Sequence, residues 1–128
     1  MQPYDSNNVF AKILRNEVPC KRILETEYAL AFEDIKPQAP IHILVIPKGP
    51  FVSIDDFIQG GTFEEVGYFW QAVGEVTRKL RLKEAGYRVL TNSGRDAHQE
   101  VMHFHVHIVG GRPLGPMLEG ADLPSGSK

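Results

Sequence analysis

The chain has 128 residues, of which 42% are hydrophobic, and its formal net charge is −2. This length supports one buried core but not two ordinary domains, and the scattered charges exclude a broad basic face for nucleic acid. The single cysteine, Cys20, excludes an internal disulfide and a multi-cysteine metal site. The first residues lack an export pattern, and no run of about eighteen apolar residues occurs. We therefore expect a cytoplasmic protein whose partner is a small molecule, not nucleic acid or a membrane.

The first half of the chain predicts one short helix and three strands. Apolar residues at helical spacing predict a helix over 9–14. The runs 22–25 and 28–32 predict a hairpin. The β-branched run 41–46 predicts a buried strand. Strand alternation places His42 on the same face as the other even-numbered residues of that strand.

A long helix is predicted to start at Thr62, which forms a capping-box pattern with Glu65. We expect the helix to end between 82 and 86. Its core-facing side is predicted from apolar residues at helical spacing, which are Phe63, Val66, Trp70, Val73 and Leu80. Phe69 and Val76 lie beside that face, and this additional apolar surface predicts a two-fold dimer.

The second half of the chain predicts two more strands, over 87–91 and 101–109. The order of elements favours an α+β fold, in which an antiparallel sheet is covered by helices on one side. The Gly-, Pro- and Ser-rich end predicts an irregular tail. We therefore expect a single domain over 1–118 and a C-terminal tail over 119–128.

The most informative segment is 103–109, where three of the five histidines alternate with apolar residues. In a strand, His103, His105 and His107 would share one face while the apolar residues face the core. A coincidental solvent-facing row, or a set of satisfied core histidines, is the simplest alternative. A metal site, with His42 as a further ligand, is another. The Cα atoms of the outer histidines would lie about 13 Å apart, which makes a three-histidine zinc site awkward. We expect neither a metal nor another cofactor.

Nucleophilic catalysis uses such a row of imidazoles more naturally than a metal site does. A neutral imidazole attacks phosphorus well, and the cationic adduct is a good leaving group in the next step. When one ring nitrogen is held by a carbonyl or a second imidazole, the other remains unprotonated. The central residue, His105, has a histidine on each side and is the predicted nucleophile.

The segment 103–109 resembles the His-φ-His-φ-His-φ-φ signature (φ, apolar) of the histidine-triad superfamily. The stretches 9–15, 32–40 and 42–48 are similar to its Hint branch, and 110–118 resembles bacterial members in particular. The resemblance implies a homodimer with a joined sheet and a site for purine nucleotides such as AMP. It also implies hydrolysis of adenosine 5′-phosphoramidates or aminoacyl-type adenylates through a nucleotidyl-histidine.

The resemblance also implies roles for individual residues. His105 is the implied nucleophile, and His107 contacts the phosphate and assists the leaving group. His103 and His42 complete the hydrogen-bonded row, and Asp34 accepts bonds from the ribose hydroxyls. The other implied nucleotide contacts are Val9, Phe10, Ile13, Phe32, Ile35 and Leu44 around the nucleoside, and Asn92, His98, Gln99 and Glu100 around the α-phosphate.

Two positions depart from the family pattern. His98 stands where many members have Gly. Glu100 stands where animal members have a hydroxyl residue, and bacterial relatives often have Glu there. Because a carboxylate repels a phosphate, we hypothesise that Glu100 selects cationic leaving groups. Asp34 precedes a proline-rich turn, and its alternative role is turn formation. The apolar residues of the implied nucleoside site could equally belong to an ordinary core.

Three other functions remain open from the sequence. The first is a nucleotide-binding or regulatory protein with vestigial hydrolysis, and the second is a metal-binding regulator. The third is a dinucleoside polyphosphate hydrolase of the fragile-histidine-triad type, which shares the three histidines. The continuation at 110–113, Gly-Gly-Arg-Pro, argues against this third function.

Overall fold

The computed structural model describes residues 3–120. Helix α1 is Val9–Leu14, and strands β1 (Arg22–Glu25), β2 (Ala29–Glu33) and β3 (Ile41–Pro47) follow it. Helices α2 (Ile54–Gly60) and α3 (Phe63–Lys79) come next, and then strands β4 (Tyr87–Leu90) and β5 (Val106–Gly110). The strands form one antiparallel sheet in the order β1-β2-β3-β5-β4. The α+β class with an antiparallel sheet is therefore confirmed.

Helices pack on both faces of the sheet, which corrects the expectation that they lie on one side. Alternate residues of β3 explain this, since Ile43 and Val45 pack with α2 and α3 whereas Leu44 and Ile46 pack with α1. His42 shares the second face with Leu44, as strand alternation predicted. The short helix α1 leaves much of that second face uncovered, and the candidate site lies there.

The buried side of α3 matches the predicted one in part, since Val73 is buried and Val66 and Leu80 pack against the core. Phe69 and Val76 are fully buried in the core, whereas Phe63 is 98% exposed and Trp70 is partly exposed. The apolar residues of this helix occupy more than one side, so their spacing alone does not identify the buried side. The capping box of Thr62 and Glu65 is present as predicted.

Helix α3 also ends earlier than predicted. The residue after it, Leu80, is the C-cap, and Arg81 has a φ of 54°. A left-handed residue at this position stops the helical hydrogen-bond pattern. The predicted continuation to 82–86 is therefore wrong.

The strand predicted over 101–109 begins later than expected, at Val106. The backbone N–H of Phe104 donates to the carbonyl of Phe51 at 2.7 Å, so the preceding segment is bound to a loop and not to the sheet. Consequently His105 and His103 lie before β5. Their alternation with buried residues persists, because Phe104, Val106 and Ile108 still enter the core.

Helix α2 was not predicted from the sequence. Asp56 and Phe57 are its buried residues, and the ring of Phe57 stacks on that of Phe104 at a centroid distance of 5.0 Å. This helix therefore supports the segment that contains the histidines. Within residues 3–120, no helix is long and apolar enough to span a membrane. Most of the predicted tail, 121–128, lies outside the described residues.

Candidate active site

A cleft of about 430 Å³ opens beside α1 on the second face of the sheet. The sequence-predicted residues that line it are Val9, Phe10, Ile13, Phe32, Asp34, Ile35, Leu44, Asn92, His98, Glu100, His105 and His107. Gln99 and His103 are buried outside this lining, and His42 lines a neighbouring cavity of about 610 Å³. The two cavities share His107. The structure therefore brings nearly all of the predicted site residues to one region.

One end of the cleft is apolar. The rings of Phe10 and Phe32 pack edge to face at a centroid distance of 5.5 Å, and Leu44 belongs to the same cluster. Phe10 also meets the ring of His105 edge to face at 5.0 Å. These aromatic residues belong to the core and line the cleft at the same time. A role in an ordinary core and a role in a nucleoside site are therefore compatible. This end suits a flat apolar group such as a base.

The two carboxylate oxygens of Asp34 have different contacts, one in a turn and one beside His42. Its Oδ1 accepts the backbone N–H of Lys36 at 2.8 Å, which is a turn-forming bond. Its Oδ2 lies 3.4 Å from Nε2 of His42. The residue lines the cleft and retains acceptor capacity there, because an ionised carboxylate has about four lone-pair sites.

His103 is fixed by two hydrogen bonds in the core. Its Nε2 lies 2.9 Å from the carbonyl of Pro47, which can only accept, so Nε2 carries the proton. Its Nδ1 accepts from the hydroxyl of Tyr4 at 2.6 Å. Burial lowers the pKa of His103 to about 4, and His105 adds to this, so the ring is neutral near pH 7. Sequence reasoning missed Tyr4, because no local pattern connects it to a residue 99 positions away.

His105 presents one unprotonated nitrogen. Its Nδ1 lies 2.7 Å from the carbonyl of His103, so Nδ1 carries the proton and donates. Burial lowers the pKa of His105 below its ordinary value, although the bond to His103 and the carboxylates of Asp34 and Glu100 oppose this. In the neutral ring, Nε2 therefore holds a lone pair. The hydroxyl of Thr91 donates to the His105 carbonyl at 2.7 Å and holds the backbone in place.

His42 and His107 form a pair whose protons can also be assigned. The backbone N–H of Gln38 donates to Nδ1 of His42 at 3.0 Å, so the neutral ring carries its proton on Nε2. That Nε2 lies 2.9 Å from Nδ1 of His107, which must accept. His107 then carries its own proton on Nε2, a buried atom that has no hydrogen-bond partner within the described part of the chain.

Desolvation keeps His42 and His107 uncharged. Burial lowers the pKa of His107 to about 4, and His105 and His42 lower it further. Burial also lowers the pKa of His42, although the carboxylate of Asp34 opposes this. A buried N–H without an acceptor is costly. The Nε2–H of His107 is therefore a donor that a bound anion could satisfy.

The loop before the histidines is braced by Gln99. Its side-chain oxygen accepts the backbone N–H of Gly94 at 2.9 Å, and its Nε2 donates to the carbonyl of Val52 at 2.6 Å. His98 has a φ of 61°, a left-handed conformation that glycine adopts most easily. The backbone at this position is therefore one that would suit the Gly that the family resemblance implies here. The imidazole of His98 lies 3.1 Å from Oε1 of Glu100 at the exposed edge of the cleft.

A metal ion could be held by three of the described residues. Ligand atoms of Asp34, His42 and His107 lie within 4.8 Å of one another. An ion bound there would replace the proton between the two imidazoles and break the bond that fixes the tautomer of His107. His103 cannot join this group in the present arrangement, because both of its ring nitrogens are engaged.

Comparison with known proteins identifies the family of this chain. The HIT domain family model matches residues 15–114, and the chain belongs to this family. A HIT-like protein of Azospirillum brasilense is 60% identical over 115 residues, which are 90% of this chain and 94% of that protein. The purine nucleoside phosphoramidase of Escherichia coli K12 is 38% identical over 110 residues, covering 86% and 92% of the two chains.

A solved structure extends the comparison to three dimensions. The HIT family hydrolase of Clostridium thermocellum superposes with a TM-score of 0.80 at 36% identity. The match covers 88% of this chain and 96% of that one. The fold described above is therefore the HIT-like fold.

Proposed function

We propose that this protein hydrolyses purine nucleoside 5′-phosphoramidates, releasing AMP and an amine, with His105 as the nucleophile. The observation that carries the proposal is the complementary pair of ring nitrogens. The lone pair of His105 Nε2 belongs to a ring whose centroid lies 5.0 Å from that of His107, and the Nε2–H of His107 has no hydrogen-bond partner among residues 3–120. A phosphoryl group needs a nucleophile at phosphorus and donors at its oxygens. The purine nucleoside phosphoramidase from E. coli supports the same reaction.

The reaction follows from these protonation states. His105 Nε2 forms a bond to the α-phosphorus, and the bond from phosphorus to the leaving nitrogen breaks. The leaving nitrogen keeps the electron pair and takes a proton from solvent. The Nε2–H of His107 donates to a phosphoryl oxygen or to the leaving nitrogen. Water then attacks phosphorus, which releases the nucleotide and a proton and returns His105 to its neutral form. No cofactor takes part in this sequence.

The remaining cleft residues suit the nucleoside. A purine would lie against the apolar end formed by Phe10, Ile13, Phe32 and Leu44, and the ribose hydroxyls would donate to Asp34. Such a site has the usual composition of a small-molecule site, which is mainly apolar with a few polar groups that fix orientation. A protein that only binds nucleotides would need this cleft but not the paired ring nitrogens.

Turnover of adenosine 5′-monophosphoramidate tests the proposal. The purified protein should release AMP and ammonia, with or without a metal chelator, and His105→Ala should lose this activity. The variant should still bind AMP within about tenfold of the wild-type affinity, because most nucleoside contacts lie elsewhere. Binding of AMP without turnover would support the regulatory alternative, and loss of turnover with the chelator would support a metal-dependent one.

A further inference from the structure

An exposed carboxylate stands at the reacting end of the cleft. Glu100 lines the same cleft as His105 and His107, and its side chain is 74% exposed. The nearby imidazole of His98 is also exposed. A carboxylate at this place is unexpected if its neighbour is the substrate phosphate, because like charges repel.

The proposed reaction directs the leaving group away from the nucleoside end of the cleft. In the proposed reaction the nucleophile and the leaving nitrogen lie on opposite sides of phosphorus, so the leaving group points away from His105. The apolar end of the cleft, around Phe10 and Phe32, is filled by the nucleoside. Glu100 and His98 are both exposed residues of the cleft lining, so a leaving group that extends toward solvent on their side would pass them.

The charges around the cleft are predominantly negative. Its lining contains Glu33, Asp34 and Glu100 but, of lysines and arginines, only Lys36 among the described residues. Glu33 lies 3.2 Å from Lys21, and Asp34 is bonded to the Lys36 backbone. Glu100 has a histidine neighbour and no lysine or arginine ion pair among the described residues, and its side chain is 74% exposed against 21% for Asp34. It is therefore the carboxylate most available to an incoming charge.

We propose that Glu100 selects the leaving group by charge, favouring amines that carry a second cationic group and disfavouring anionic leaving groups. This inference rests on the proposed function and narrows its substrate class. It also predicts weak activity toward dinucleoside polyphosphates, whose leaving group is itself a polyanion. Nε2 of His98 lies 3.1 Å from Oε1 of Glu100 at this exposed edge of the cleft.

Three matched substrates test the inference. They are AMP phosphoramidates of butylamine, 1,4-diaminobutane and 4-aminobutanoate, which differ in the charge at the far end of the same four-carbon chain. In the wild type, kcat/KM should be highest for the diamine and lowest for the carboxylate, with about three- to tenfold between neighbours in the series. Because the carboxylate is exposed, this spread should shrink as salt is raised.

The variant Glu100→Gln should remove the differences in kcat/KM among the three substrates. Glu100→Lys should reverse their order. The ratios are measured within each variant, so any change in the overall rate cancels. Glu84→Gln removes the same charge from an exposed residue outside the cleft and should leave the ratios unchanged.

Failure of the inference can be separated from failure of the proposed function. If the wild type hydrolyses neither adenosine 5′-monophosphoramidate nor the butylamine conjugate, the proposed function fails and the inference fails with it. If that conjugate is hydrolysed but the three substrates react equally, the inference alone is wrong. Persistence of the spread in Glu100→Gln would also overturn it and would assign selectivity to another carboxylate.

Discussion

The hydroxyl of Tyr4 donates to Nδ1 of His103 at 2.6 Å and so connects the N-terminal segment to the row of histidines. The two rings also meet edge to face at a centroid distance of 5.6 Å. With Pro47 on the other nitrogen, this bond fixes the tautomer of His103. The carbonyl of His103 in turn fixes the tautomer of His105. Tyr4 is therefore a positioning residue two hydrogen-bonded steps from the nucleophile.

Removing the hydroxyl in Tyr4→Phe should lower kcat by about two- to tenfold, the kinetic equivalent of one hydrogen bond of 0.5–1.5 kcal/mol. KM should change little, because Tyr4 does not line the cleft. Nitrogen-15 NMR should show a changed Nδ1 signal for His103, because Nδ1 loses its donor while the Pro47 carbonyl still holds the proton on Nε2. Tyr28→Phe is the matched control, since the hydroxyl of Tyr28 contacts Glu64. An unchanged kcat together with an unchanged His103 spectrum would show that the bond has no role.

The sheet could be predicted well because strand alternation is local. The alternation placed His42 with Leu44, and Phe104 with Val106, without knowledge of which strands are neighbours. Helix α2 had a weaker signal in Ile54, Phe57 and Ile58 at helical spacing, which sequence reasoning overlooked. The buried side of α3 could not be predicted fully, because this helix has apolar residues on more than one side.

Contacts between distant residues account for the rest of what was missed. The bonds from Tyr4 to His103 and from Gln99 to Val52 depend on the final packing, and nothing in the intervening sequence encodes them. The start of β5 depends on the bond from Phe104 to Phe51 for the same reason. Residue types thus suggest which groups meet in a site. Assigning the histidine tautomers and the long-range hydrogen bonds that hold the site requires the structure.

Asp34→Ala should weaken AMP binding by about 1.5–3 kcal/mol, the range for hydrogen bonds to a charged group. This change also removes the hydrogen bond from the Lys36 backbone N–H, which forms the turn. Comparing two ligands on the wild type avoids this second effect. Calorimetric titration with AMP and with its 2′,3′-dideoxy analogue should give a clear loss of affinity for the analogue. Equal affinities would contradict a role for Asp34 in binding ribose.

The free energy of unfolding should fall as the pH drops from about 6.5 toward 4. The pKa of His103 is about 4 in the folded protein and about 6.5 in an unfolded chain, so the unfolded state binds more protons in this interval. His103 alone should remove about 3 kcal/mol over this interval, and none of this loss should occur above pH 7. His107 acts in the same direction.

Urea denaturation at several pH values measures this effect. His103→Gln keeps a donor for Pro47 and an acceptor for Tyr4 but does not titrate, so its unfolding free energy should depend less steeply on pH. Parallel curves for the wild type and the variant would show that His103 does not contribute.

The protein should be a dimer at micromolar concentration. Phe69 and Val76, from which the sequence predicts this dimer, cannot form its interface, because both are buried in the core. Surface residues provide a better basis for the prediction, since Trp70 on α3 and Val89 on the edge strand β4 are 36% and 38% exposed. Trp70→Lys should shift light scattering toward a monomer, whereas Ile58→Lys on α2 should not. A wild-type monomer would contradict the prediction.

His105 should carry a covalent nucleotide during turnover. In the neutral ring, Nδ1 is committed to the His103 carbonyl, so Nε2 is the nitrogen free to attack, and this requires no prior deprotonation because burial lowers the pKa of His105. The other candidates are less suited, since His103 has both nitrogens engaged and His107 holds its proton on Nε2. His105→Ala should therefore lower kcat by several orders of magnitude, whereas His107→Ala should lower it less, because His107 stabilises charge without forming the bond. Rapid quenching without acid, followed by mass spectrometry, should locate an acid-labile adenylate on His105. An adenylate on His103 or His107, or near-wild-type turnover by His105→Ala, would place the nucleophile elsewhere.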